Sequence, residues 1–100
     1  MKKLVDIQRK IVPEILEIME KRYFLLKEIS MSGPVGRRTL SAKMGLSERV
    51  VRSEVEFLKS EGLINVEVSG MIITHEGNDV LENLMEFISE IKGISKLEES

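Results

Sequence analysis

Apolar residues at Leu4, Ile7, Ile11, Ile15, Ile18 or Met19, Leu26 and Ile29 recur at steps of three and four, with Arg22 standing in the same stripe. That spacing lines one face of an α-helix. Pro13 interrupts the run. Proline suits a first helical turn and biases the residue before it away from helical angles, so the pattern predicts a short helix over 3–11 and a longer one over 13–31. Ser32-Gly33-Pro34 ends the second. Val35 to Arg37 then suits a short edge strand and Thr39 to Met44 a helix of one and a half turns, which Gly45 stops because glycine takes left-handed angles at little cost. Ser47 is the expected N-cap of a helix running to about Glu61, with Glu48 near the positive end of its dipole and Gly62 closing it. Beyond Gly62 the period changes to two: Ile64, Val66 and Val68 alternate with Asn65, Glu67 and Ser69. Met71 to Thr74 completes a hairpin with Ser69-Gly70 at its tip. Thr74 caps a last helix over about His75 to Lys92, with Val80 or Leu81, Leu84, Phe87 or Ile88, and Ile91 facing inwards.

The expected fold is therefore mainly α with a small β-hairpin, in the order of a winged helix-turn-helix. It fills residues 1–92, with 1–12 as an N-terminal helical extension, 76–92 as a possible dimerisation helix and 93–100 as a frayed tail leading to an absent effector-binding domain. A helix-turn-helix needs its two helices to cross closely. Ser41 is small where they touch, Gly45 turns the chain four residues later, and Val51 faces back into the core. On a helical wheel Val50, Val51, Val55, Phe57 and Leu58 gather on one side of residues 47–61, and Arg49, Arg52, Ser53, Glu56, Lys59 and Ser60 on the other. Glu54 falls within the apolar arc, where pairing with Arg22 or a lysine of the long helix is its expected role.

Composition narrows the chemistry. One hundred residues make one domain. There is no cysteine, His75 is the single imidazole, and Asp6 and Asp79 are the only aspartates, so no metal cluster or nucleophile, base and orienter set is expected and the chain does not read as an enzyme. No apolar run nears the ~20 residues that cross a bilayer, and a cytoplasmic setting is expected. The net charge of -2 hides an uneven distribution. Residues 31–60 hold six Lys/Arg against three Asp/Glu, whereas residues 61–100 hold two against nine. Residues 1–30 hold seven against five, and such a basic front with an acidic back matters to a partner that feels local fields.

Double-stranded DNA is the expected partner. A helix fits the major groove, where arginine can bond guanine O6 and N7 together, so Arg49 and Arg52 are the leading base readers. Glu48 can accept from cytosine N4, and Ser47 or Ser53 can reach base or phosphate. Arg37 and Arg38, just before the preceding helix, would hold phosphate together with its free N–H groups, extended by Thr39 and Lys43. Lys2, Lys3, Arg9 and Lys10 are additional anchors if the first helix points towards the duplex. The wing should add little, because no Lys or Arg lies between Lys59 and Lys92. The last stripe continues to Ile94 and Leu97, which suggests pairing with a second copy and a near-palindromic operator. The competing expectation, supported by the acidic back half, is a winged-helix module that binds another protein without specific DNA binding.

The run LSAKMGLSERVVRSEVEFLKSEGLI resembles the helix-turn-helix of bacterial sugar-responsive regulators of the DeoR and SorC type, in which a serine-led second helix carries an arginine at the position of Arg52. The longer run RRTLSAKMGLSERVVRSEVEFLKSEGLINVEVSGMIITHEG, with VDIQRKIVPEILEIMEKRYFLLKEI ahead of it, is similar to the N-terminal domain of SorC-family repressors of glycolytic genes. The similarity covers about residues 4–92. It implies a homodimeric or larger parent protein with a sugar-phosphate-binding domain beyond this stretch, and fructose 1,6-bisphosphate as inducer. Ser53 stands where the DeoR pattern has a second arginine, so base preference is not carried across there.

Overall fold

The computed structural model describes the backbone of residues 2–99 and the side chains of residues 13–93. Four helices and a hairpin follow one another as α1 (Lys2–Ser32), α2 (Arg37–Met44), α3 (Glu48–Ser60), β1 (Ile64–Glu67), β2 (Gly70–Ile73) and α4 (His75–Glu99). The main buried cluster is Leu25, Leu26 and Ile29 of α1, Leu40 of α2, Val51, Val55 and Leu58 of α3, Ile64 of β1, Met71 of β2, and Val35 between α1 and α2, with Ile88 of α4 buried outside it. Val80 and Leu81 bring α4 against this cluster as partly buried neighbours.

Several boundaries differ from the sequence expectation, among them the start of α2 at Arg37 instead of Thr39. α1 is one helix with Pro13 inside it, not two helices meeting at the proline. The φ of proline is itself helical and its missing N–H removes one bond, which bends a helix without necessarily ending it. The apolar stripe keeps its phase across residue 13, and packing of the downstream half holds the rod in place. The hairpin tip is Val68-Ser69, one residue earlier than expected, because Gly70 already pairs with Glu67 as the first residue of β2. Gly70 sits at φ 131, and a Cβ there would stand 2.8 Å from the Val35 backbone nitrogen, so glycine is needed for the close approach as well as the turn. Finally, α4 runs on through Gly93 to Glu99, past the expected fraying point. A single helical glycine costs only about 1 kcal/mol relative to alanine.

Val35 forms a single bridge rather than an edge strand. Its N–H donates to the Met71 carbonyl at 3.1 Å and its carbonyl accepts from Met71 N–H at 2.8 Å, tying the end of α1 to the wing. Thr74 caps α4 as expected: its hydroxyl accepts from Gly77 N–H at 3.0 Å while donating to the Gly62 carbonyl at 2.7 Å, so one side chain joins the exit of α3 to the entry of α4. α4 lies antiparallel along α1, with Lys92 3.1 Å from Glu20 and the Tyr23 hydroxyl 3.5 Å from Met85 sulfur. The stripe positions Ile94 and Leu97 lie outside the described side chains, as do Lys2, Lys3, Arg9 and Lys10.

Candidate DNA-reading surface

The turn between α2 and α3 is built by two small residues. Gly45 adopts φ 65 and ψ 26, the left-handed region, and its N–H returns to the Ser41 carbonyl, which also accepts from Leu46 N–H at 3.2 Å. The Ser41 hydroxyl donates to the Leu46 carbonyl, closing the loop from the other side. The sequence pattern marks Ser41 only as small; serine at a helix contact carries a donor as well as a small volume, and the bond is the part that pattern does not show. Ser47, extended at φ -66 and ψ 153, accepts from Val50 N–H at 3.2 Å and starts α3. Its oxygen is thus committed to the cap, leaving the O–H free to donate to a phosphate.

On α3, Val51, Val55 and Leu58 are buried and Val50 is half-buried. Glu48, Arg49, Arg52, Ser53, Glu56, Lys59 and Ser60 are exposed. Among the described residues neither Arg49 nor Arg52 has an ion-pair partner within the chain. Both guanidinium groups are open to an external acceptor.

Arg37 and Arg38 lie within the first turn of α2 rather than before it, and Thr39 follows them, exposed. The N-cap is Gly36, which offers no side-chain hydrogen bond, so the N–H groups at this helix start are not satisfied by a capping side chain. Arg38 Nε is 3.7 Å from Glu48 Oε1, with both side chains largely in solvent. This loose pair joins the starts of α2 and α3 on one surface. Exposed pairs of this kind contribute at most about 1 kcal/mol, so a phosphate can displace Glu48 from Arg38 at low cost.

Lys43 is held by partners on α1. Its ammonium lies 3.2 Å from Glu28 Oε1 and donates to Ser32 Oγ at 3.0 Å, which turns it towards α1. Ser32 Oγ in turn donates to Glu28 Oε1 at 2.8 Å. The Ser32 hydrogen bond, and then Lys43, hold the Glu28 carboxyl below the usual carboxylate range. An amphipathic wheel of α2 alone could not reveal this, because the competing acid sits 15 residues upstream on another helix.

Glu54 pairs as expected from the two helical wheels. Arg22 Nε donates to Glu54 Oε2 at 2.9 Å, Lys21 Nζ stands 4.0 Å from Oε1, and only 12% of the Glu54 side chain is exposed. The Arg22 guanidinium lies 4.0 Å above the Phe57 ring, which leaves Phe57 half-covered instead of fully buried in the apolar arc. The wing carries no cation: Asn65, Glu67 and Ser69 are exposed, and Val68 at its tip is open to solvent.

A helix braced by the one before it across a tight turn, with exposed arginines and a two-stranded wing after it, defines a winged helix-turn-helix of the DNA-binding class. Residues 18–88 match the family model described as CggR N-terminal DNA binding domain, and the chain belongs to that family. The matched stretch is a DNA-binding domain by that family's description. The chain is 47% identical over 98 residues, 98% of its length, to a "Central glycolytic genes regulator" of Priestia megaterium (strain DSM 319 / IMG 1521). It is 40% identical over 100 residues, its whole length, to the protein of the same name in Bacillus subtilis (strain 168). In each case it spans 29% of the length of the relative. No described helix is long and apolar enough to cross a membrane.

Proposed function

We propose that this domain is the operator-reading head of a cytoplasmic repressor of glycolytic genes, with α3 lying in the major groove. The observation that carries this reading is the pair Arg49 and Arg52 on the first two turns of α3, exposed, unpaired among the described residues and backed by the fully buried Val51. At 1.5 Å per residue α3 is roughly 20 Å long, and the groove is ~12 Å wide, so the helix enters with its N-terminal half forward. Arg49, Arg52, Ser53 and Glu48 read base edges. Arg37 and Arg38 hold phosphate beside the uncapped start of α2, Thr39 supports them, and Ser47 donates its hydroxyl to the backbone. Lys43, turned to α1, has no part in this contact.

Two copies act together on a near-palindromic site. Ile15 and Ile18 continue the stripe of Leu25, Leu26 and Ile29 along α1 yet are 44% and 43% exposed, and Phe87 on α4 is 50% exposed, so these helices keep apolar surface for a partner. The relatives are longer than the matched stretch. Control by a sugar phosphate, fructose 1,6-bisphosphate, acting outside this domain is carried over from the family resemblance alone. Selection of duplexes from a random library by the dimerised domain tests the whole reading. Enrichment of paired half-sites one helical turn, roughly 34 Å, or a multiple of it apart is expected. Recovery of no sequence above background would refute it, and would favour a winged helix that engages protein instead.

A further inference from the structure

We propose that Arg22 and Glu54 form a positioning clamp that sets the rotation of α3 about its own axis, and through it the sequence discrimination of the domain. The proposal rests on α3 being the base-reading helix. Val51, Val55 and Leu58 seat α3 on the core, but apolar contact is non-directional and yields to small rotations. The Arg22 to Glu54 hydrogen bond at 2.9 Å is directional and charge-assisted. Arg22 also covers the Phe57 ring, three residues further along α3, so one guanidinium grips the same helix at two points on one face.

The lever is short and sensitive. A reading atom about 6 Å from the helix axis moves about 2 Å when the helix turns by roughly 20°, which is enough to break a bidentate contact with a base. Neither charge is required to fill the space. A part-buried ion pair is often no more stabilising than apolar side chains of the same volume, and a carboxylate on a helix that approaches DNA works against general affinity. Geometry is what the pair supplies. Lys21, at 4.0 Å from the other carboxylate oxygen, offsets the remaining field of Glu54.

The test compares the wild-type chain with E54Q, R22M, R22K and the R22M/E54Q double variant on two labelled duplexes: the sequence recovered by wild-type selection from a random library, and a scramble of equal composition. E54Q is expected to weaken the selected duplex about tenfold, the cost of roughly one lost specific contact, while the scrambled duplex binds as well or better because a negative charge is gone. The double variant should discriminate no worse than the poorer single variant, and R22K, which keeps the charge but loses the fork and the stack, should fall between wild type and R22M. Circular dichroism and melting confirm folding before any ratio is read, and R22K supplies the comparison if R22M or E54Q melts early. Equal losses on both duplexes in folded variants, or losses that simply multiply in the double variant, would overturn the clamp. A wild-type chain with no preference for its selected duplex would overturn the base-reading role of α3 itself, a distinct outcome.

Discussion

Arg52 and Arg38 are both exposed arginines, yet their surroundings give them different work. Arg52 projects from the exposed face of α3 with no ion-pair partner among the described residues, whereas Arg38 leans on Glu48 at the helix start of α2. Arg52→Ala is expected to cost about 1 to 3 kcal/mol on the selected duplex and to relax preference at one base pair. Arg38→Ala should weaken all duplexes alike and reduce the salt slope by about one; equal behaviour of the two variants in anisotropy titrations would undo the assignment. Glu28 makes a different prediction. Its folded pKa is depressed, so its stabilising contribution is complete above the ordinary carboxylate value and is lost as pH falls through the lower folded value. Glu28→Gln should therefore flatten the acid limb of the melting profile while leaving DNA binding unchanged at neutral pH. Caps such as Ser47 and Thr74 were legible in the sequence because a cap bonds within three residues of itself. The fate of Lys43 was not, because its acceptors belong to a helix that only folding brings near.

At the scale of elements, periodicity located all the helices and both strands, since burying one face imposes a repeat that the chain displays openly. The errors fall where local preference met packing. Pro13 alone argues for a break, but α1 continues, because the cost of one lost bond is spread along a helix held elsewhere by Leu25, Leu26 and Ile29. The hairpin tip moved by one residue because the Val35 backbone, which bridges the neighbouring Met71, passes too close to residue 70 for any side chain but glycine's. The turn of the helix-turn-helix was read correctly, and Gly45→Ala tests it. Its φ of 65 costs an L-residue roughly 1 to 2 kcal/mol, and open space around its Cα means the loss comes from the backbone and not from a clash. A matching drop in chemical-denaturation stability is expected; no change would mean that the turn relaxes freely.

At the scale of the whole molecule, the domain is elongated, 52 × 26 × 21 Å, with α1 and α4 reaching along the long axis while α2 and α3 occupy the basic part of the chain. The net charge of -2 is unevenly spread, with six Lys/Arg against three Asp/Glu over residues 31–60 and two against nine over residues 61–100, so a polyanion meets a local field unlike the total. Neutralising about three to six phosphates per protomer should make log affinity fall with log salt at a slope near that number. A slope near zero would be incompatible with the arginine-led contact. That outcome would point to the acidic wing and α4 as the contact face, directed at a basic protein.

Amino-acid order alone determined the succession of helices and hairpin, the caps, the left-handed turn at Gly45 and the outward set of Arg49 and Arg52, because each follows from contacts within a few residues or from a repeat along one element. Tertiary structure decided which charges remain available. It turned Lys43 to Glu28, leaned Arg38 on Glu48, and joined Arg22 to Glu54 and Phe57, since the field at a side chain is set by whatever the fold brings within a few ångströms, however distant it is along the chain.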